Sequence, residues 1–301
     1  MHYLGGGFYT YFPVLQPIFP NAMKLLSLYF LSMVSLNLIG SAFLLSGCSG
    51  PKKPAEAITI SIDSTFTEPV DGTAVVAPDS LPTINTSSEA ERKEGWQLLF
   101  DGKSTSAWRG YGKTTFPDSG WAVQEGLLVV KGDDPKVKGR NIVTQKEFGD
   151  FELTLEFKLA PEASSGIFYR VKEEKGVPIW QNAPEYQLID HETWEKKGGR
   201  QAMHTHRTGD NFDLISSSVQ VMKPLGEWNE ARVRIQHNKV EHWLNGQRIV
   251  AYELGSLEWK KRVSESKFAL HQGYGAVPKG PVALQENGSS VWFRNIKIRE
   301  M

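Results

Sequence analysis

Phe151-Glu152-Leu153-Thr154-Leu155-Glu156-Phe157-Lys158-Leu159 is the stretch that decides how this chain folds. Apolar residues fall on every second position, and successive side chains of an extended strand point to opposite faces. Phe151, Leu153, Leu155, Phe157 and Leu159 therefore line one face, and Glu152, Thr154, Glu156 and Lys158 the other. One apolar and one polar face is the pattern of a half-buried antiparallel strand.

Shorter runs on either side repeat this pattern. Strands are expected at Trp96–Phe100, Leu127–Lys131, Asn141–Gln145, Gly166–Lys172, Tyr186–Asp190, Ala231–His237, Val240–Leu244, Arg248–Tyr252, Lys267–His271, Val282–Glu286 and Val291–Arg299. Asn245-Gly246 lies between two of them. Both residue types tolerate positive φ, so the pair predicts a tight hairpin. Long helical periodicity is scarce. Many short strands separated by turn signals imply an all-β fold, a jelly-roll sandwich of two antiparallel sheets, over residues 91–301.

The chain has 301 residues, with 34 Lys+Arg against 34 Asp+Glu. Without a basic excess to neutralise phosphates, nucleic acid is not an expected partner. Nine Trp and nine Tyr supply core material and also rings that stack on sugars. A single cysteine, Cys48, rules out an intrachain disulfide framework. Met23-Lys24 opens an apolar run that closes on Leu45-Ser46-Gly47-Cys48, the layout of a secretory signal with small residues at the cut. A Cys directly after Leu-Ser-Gly resembles the lipobox of bacterial lipoproteins. Residues 23–47 are thus expected to be a signal peptide, and Cys48 the lipidated first residue of the mature chain. Ser49 rather than Asp follows it, which favours the outer membrane of the cell envelope. Residues 1–22 precede a good start and are expected to be an over-extended gene start. Residues 48–90 are rich in Pro, Ser, Thr and Ala, too poor in apolar surface to offset ordering, and are read as a flexible tether.

Seven stretches, in order, carry a resemblance: Trp96-Gln-Leu-Leu-Phe-Asp-Gly-Lys103; Gly149-Asp-Phe-Glu-Leu153; Ser164-Ser-Gly-Ile-Phe-Tyr-Arg170; Glu185-Tyr-Gln-Leu-Ile-Asp190; Lys223-Pro224 with Gly226-Glu-Trp-Asn229; Glu241-His-Trp-Leu-Asn-Gly246; and Val291-Trp-Phe-Arg-Asn-Ile296. Together they resemble the 3-keto-disaccharide hydrolase domain, common in secreted and lipid-anchored proteins of Bacteroidetes and Planctomycetes. The resemblance spans roughly residues 94–300 and implies a concanavalin A-like sandwich acting on 3-keto-glycosides. A keto group at C3 acidifies the C2 proton. Its removal gives an enediolate, the C1 substituent leaves, and water adds back. Such a site needs a base, an electrophile at the C3 oxygen and an acid for the leaving group.

The Glu185–Asp190 strand is the first place to seek these groups. Glu185 and Gln187 share a face, with Tyr186 and Leu188 on the other. Glu185 is the leading base or acid; its bland reading is an exposed carboxylate at a strand start. Asp190 ends the strand and is either functional or a turn cap. His191 is a titratable neighbour, and Asp213 a further acid or a solvated loop residue. Arg170, which the resemblance includes, is expected to bind an oxyanion or pair with a carboxylate. His204 and His206 form His-x-His, which on a strand would face one side and suit a divalent metal, though no third ligand is evident. Trp243 is a candidate sugar platform or a core residue. Gln285 and Arg294 complete the binding candidates. Glu286-Asn287 stands where relatives often carry Asp-His, which puts that pair's role in doubt.

Phosphate-binding glycine loops, nucleophile elbows and paired CxxC motifs are absent. Cofactor redox chemistry is therefore not expected on this chain, a divalent metal stays open, and a separate glycoside 3-oxidoreductase would have to supply a 3-keto substrate. Two other readings stay open: a carbohydrate-binding module without turnover, and a conventional glycosidase with two carboxyls flanking the bond.

Overall fold

The computed structural model describes residues 84–132 and 139–301. Among them, thirteen strands form two antiparallel sheets: β1 (Gln97–Leu98), β2 (Trp108–Gly110), β3 (Trp121–Gln124), β4 (Leu127–Val130), β5 (Ile142–Thr144), β6 (Phe151–Leu159), β7 (Ser164–Phe168), β8 (Glu185–Ile189), β9 (Asn229–Gln236), β10 (Lys239–Leu244), β11 (Gln247–Glu253), β12 (Ala283–Leu284) and β13 (Val291–Glu300). The larger sheet runs β11-β10-β9-β6-β13-β4-β3, with β1 also on β13; the smaller runs β2-β5-β12-β7-β8. Within the same residues three helices interrupt the strands: α1 (Glu89–Lys93), α2 (His191–Gly198) and α3 (Leu257–Ser264).

Strand β6 occupies the middle of the larger sheet, between β9 and β13. Its five alternate apolar residues are at most 2% exposed, facing the smaller sheet's Ile167, Tyr186 and Leu188 across one core. Strand β13 keeps its apolar side inward by a bulge. The register slips between Arg294 and Lys297 around Asn295, whose φ is 52°. Val291 and Phe293 before the slip and Ile296 and Ile298 after it all face the core, as a bulge that re-aims the following side chains allows. The hairpin β10–β11 turns on Asn245 (φ 49°) and Gly246 (φ 81°), as their sequence predicts.

A buried polar chain ties the two sheets together. The Tyr169 hydroxyl, next to β7, lies 2.8 Å from His242 Nε2 on β10 and 2.5 Å from the Tyr252 hydroxyl on β11. His242 Nδ1 is 2.9 Å from the Gly209 carbonyl and must donate to it. Nε2 therefore accepts from Tyr169, which in turn accepts from Tyr252. Burial pushes His242 down to about 4, so the imidazole is neutral in this chain of bonds.

Four expectations are corrected here. The run Lys267–His271 is not a strand: residues Lys267–Leu270 form a 3-10 turn, because Ser266 caps Phe268 N and only Phe268 of the run is buried. The strand expected over Gly166–Lys172 ends at Phe168, and Arg170 takes a left-handed φ of 48°. The His-x-His segment is a loop, not a strand, with Thr205 at φ 64° between the two rings. Residues 84–90, assigned to the tether, are docked on the sandwich. Asn85 is 5% exposed and exchanges bonds with Asn295: Asn85 N donates to Asn295 Oδ1 (2.6 Å) and Asn295 N to Asn85 Oδ1 (2.8 Å). The over-extended start, the signal, Cys48 and most of the tether lie outside the described residues.

Candidate active site

The smaller sheet turns one face to the main core. Its other face carries Ser164, Gly166 and Phe168 of β7, Glu185 and Gln187 of β8, and Ala283 of β12. Part of that face is sealed by a second apolar cluster, where Val171, Ile179 and Ala183 pack on Val143, Phe168 and Ala283. Beside the seal lies a cavity of about 270 Å³ lined by Ser164, Trp180, Glu185, Gln187, Phe212, Lys267, Gln285 and Asn287.

Alternation puts Glu185 and Gln187 on the floor of this cavity and buries Tyr186 and Leu188 behind it. Glu185 can lie flat across β7 only because residue 166 is glycine. A Cβ on Gly166 would stand 2.0 Å from Glu185 Oε1. Gln285 is brought alongside by continued pairing, its N–H donating to the Gly166 carbonyl at 2.9 Å. Phe212 is fixed by a bond from its N–H to the Glu185 carbonyl (3.0 Å). Trp180 arrives on a short 3-10 turn, Ile179–Gln181, and Lys267 on the turn Lys267–Leu270.

Glu185 is 4% exposed. Burial pushes its carboxyl up to about 8, offset in part by the charge of Lys267. Desolvation of this kind is how a carboxyl becomes a strong base or a neutral acid near neutral pH. The Lys267 Nζ lies 4.0 Å from the Phe212 ring centroid and 5.9 Å from that of Trp180. Behind it, Asp213 Oδ2 is 3.5 Å away, and Asp213 Oδ1 is 3.0 Å from His206 Nε2. Burial raises the Asp213 carboxyl, but the His206 hydrogen bond and the Lys267 charge outweigh it and hold the group below the usual range.

Of the residues singled out in the sequence, Glu185, Gln187, Gln285 and Asn287 line the cavity, and Asp213 stands one residue behind it. The others are elsewhere. Asp190 caps α2, accepting from Thr193 N (3.2 Å) and Glu162 N (2.9 Å). His191 is the buried first residue of that helix, its pKa lowered by burial. Arg170 is 4% exposed and bound to Asp150 (3.1 Å), Asn238 (2.6 Å) and the Gly149 carbonyl (3.1 Å). Its left-handed backbone carries it away from the face of Phe168. Trp243 and Arg294 lie on the outer face of the larger sheet, bonded to Glu241 and Glu156. His204 is exposed in a loop. Among the described residues, no three or more His, Cys, Asp or Glu side chains are grouped to hold a metal ion. Glu286 is buried and accepts from Arg140 N and Gly288 N, whereas its neighbour Asn287 lines the cavity.

Sequence reasoning passed over Ser164, Trp180, Phe212 and Lys267. Ser164 sits two residues before the glycine that makes room for Glu185, a clue within a stretch already noticed. Trp180 and Lys267 reach the cavity from loops, where no periodicity marks them.

Larger hollows exist, of about 800 Å³ on the outer face of the larger sheet and about 960 Å³ beside Arg109 and Glu173. Their charges are paired: Glu152 with Arg232 and Arg299, Arg109 with Glu173. Of these three hollows, only the smaller cavity holds a buried carboxyl with a raised pKa, so it is the candidate site.

An antiparallel sandwich with a polar, aromatic-walled, acid-bearing cavity on one sheet is the architecture of a carbohydrate-active hydrolase. Comparison narrows that class: residues 95–299 match the 3-keto-alpha-glucoside-1,2-lyase-like domain, and the chain belongs to that family of glycoside hydrolases. A 3-keto-disaccharide hydrolase of Bacteroides thetaiotaomicron is 30% identical over 230 residues, 68% of this chain and 78% of that protein. The crystal structure of a proposed glycosyl hydrolase of Parabacteroides distasonis superposes with a TM-score of 0.66 at 32% identity, covering 73% of this chain and all of the other. A second from the same organism gives 0.54 at 24% identity over 68% of this chain and 99% of its own, and shares the fold.

Proposed function

We propose that the protein cleaves 3-keto-glycosides by abstracting the C2 proton with Glu185. The observation that carries this reading is the cavity's acid content. Among the described lining residues there is one carboxyl, and its pKa is lifted to about 8 by burial. A conventional glycosidase needs two carboxyls flanking the bond, and the next acid, Asp213, is engaged by His206 and Lys267. One strong base beside hydrogen-bond donors is instead what a carbon acid requires.

In this reaction ionised Glu185 takes the C2 proton. The C–H electron pair forms C2=C3 and the carbonyl pair moves to the C3 oxygen. Return of that pair re-forms the ketone, moves the double bond to C1=C2 and expels the C1 substituent. The departing oxygen takes a proton from water at the open mouth of the cavity. The resulting hydroxide adds to C1, and Glu185, its proton exchanged with water at the cavity mouth in the meantime, protonates C2. The sum is hydrolysis. The 3-keto group must come from a separate oxidoreductase acting on the parent glycoside. The lipobox-like Leu45-Ser46-Gly47-Cys48 supports a protein anchored in the cell envelope, and Ser49 rather than Asp after it supports the outer membrane.

The test is to incubate the full chain with a 3-keto-disaccharide and with its unoxidised parent. Release of free sugar from the keto form alone is the expected result. Release from the parent would favour the two-carboxylate mechanism, and binding without release a carbohydrate-binding module.

A further inference from the structure

We propose that Lys267 is the cationic catalytic group of this cavity, its ammonium receiving the charge that develops on the C3 oxygen, and that Asp213, backed by His206, is the positioning residue that aims it. The proposal rests on the proton-abstraction reading above and adds the partner that Glu185 needs.

The root of Lys267 is rigid although its tip is not buried. Ser266 Oγ accepts from Phe268 N at 3.1 Å and donates to the Val263 carbonyl at 2.9 Å. Phe268, 1% exposed, stacks on Tyr274 with centroids 4.1 Å apart. The side chain leaves this anchored turn and runs over the Phe212 ring into the cavity that Glu185 floors.

A simple surface ion pair with Asp213 accounts for this poorly. Asp213 already has a closer partner in His206, at 3.0 Å against 3.5 Å for Lys267. An ammonium has three donors, and one carboxylate oxygen at 3.5 Å uses at most one of them. The lysine side chain remains 42% exposed at the cavity, with donors for a ligand. Three aromatic rings, Phe212, Phe268 and Trp180, flank the cation and limit its movement. Asp213 itself is held in a left-handed conformation (φ 65°) by a bond from its N–H to the Thr205 carbonyl. The carboxylate therefore has a fixed place from which to direct the lysine. A fixed cation beside a developing oxyanion stabilises the transition state as strongly as any device an enzyme has.

The experiment uses the full chain with a 3-keto-disaccharide, following both sugar release and exchange of the C2 hydrogen in deuterated water. Lys267→Met is expected to lower kcat by about 10²–10³-fold, the effect of losing one preorganised oxyanion partner. C2 exchange should fall in parallel, with the melting temperature unchanged and partial recovery in Lys267→Arg. Asp213→Asn is expected to lower kcat about tenfold with little change in KM, as misaim rather than lost binding would. The rising limb of the pH profile, which belongs to Glu185, should move to higher pH in Lys267→Met. The groups around that carboxyl are Lys267, Tyr169 and Tyr274, with Asp213 behind, and Lys267 alone among them is cationic. Wild-type activity retained in Lys267→Met would overturn the assignment of Lys267. Absence of C2 exchange in the wild type would overturn proton abstraction itself.

Discussion

The two sheets turn very different outer faces to solvent. That of the larger sheet is crowded with carboxylates, each matched to a cation: Glu152 accepts from Arg232 and Arg299, and Glu156 from Arg294 and Asn295. The corresponding face of the smaller sheet carries Glu185, buried and bordered by amides, aromatic rings and a single lysine. The contrast teaches that carboxylate number is a poor guide to chemistry. Acids balanced across strands are committed to their cationic partners and hold register. An acid stripped of water and denied an arginine has a proton it can exchange near neutrality.

That contrast can be broken at several points. Glu185→Gln should have the largest effect, a loss of about 10²–10⁴-fold in kcat, the usual worth of general base catalysis. Because the base must be ionised, wild-type kcat/KM should rise with pH and level off above about 8. The sign for stability is opposite. The folded pKa lies above the unfolded value, so the stabilising contribution is complete below about 4.5 and is lost as pH rises through about 8. Thermal melts should therefore show Glu185→Gln more stable than wild type at pH 8, and no different at pH 4. A lower melting temperature at pH 8 would mean the carboxyl is not disfavoured by its site.

Gly166→Ala leaves Glu185 present but takes its place, since the new Cβ would sit 2.0 Å from Oε1. Displacement on the scale of 1 Å costs about 10²-fold in rate, so kcat should fall by that order, and a crystal structure should show the carboxyl moved. On the larger sheet, Glu152→Gln removes the shared partner of two arginines. Chemical denaturation should record a loss of about 1–3 kcal/mol, with kcat unchanged. The smallest effect is expected for Arg294→Ala, which gives up a partly exposed ion pair and its contact with Trp228 (4.1 Å to the ring). About 0.5–1 kcal/mol of stability should be lost, and KM should not move. A raised KM would return Arg294 to the substrate-binding residues.

The sandwich was legible where strands are long and one face is apolar. In β6 five alternate positions commit, and no other arrangement buries them together. Legibility fell for β2 and β3, each four residues or fewer, where two or three side chains cannot establish a period. Parity reasoning placed Glu185 and Gln187 correctly because β8 is regular, and it misplaced Arg170 because the chain leaves the strand before reaching it. Asp190 and His191 followed a real boundary, but what lies beyond is a helix, which recruits the Asp as its cap. Lys267 and Trp180 join the cavity through tertiary folding of loops, and nothing local to either residue records where its loop will rest.

The doubled bond between Asn85 and Asn295 also has a mechanical side. Tension applied to the chain ahead of residue 84 enters the sandwich at the bulge of β13, a strand paired to β1, β4 and β6. Antiparallel neighbours would share that load within the larger sheet before it reached the sheet that carries Glu185. A pull on the leading end would thus be met first by the sheet opposite the candidate cavity.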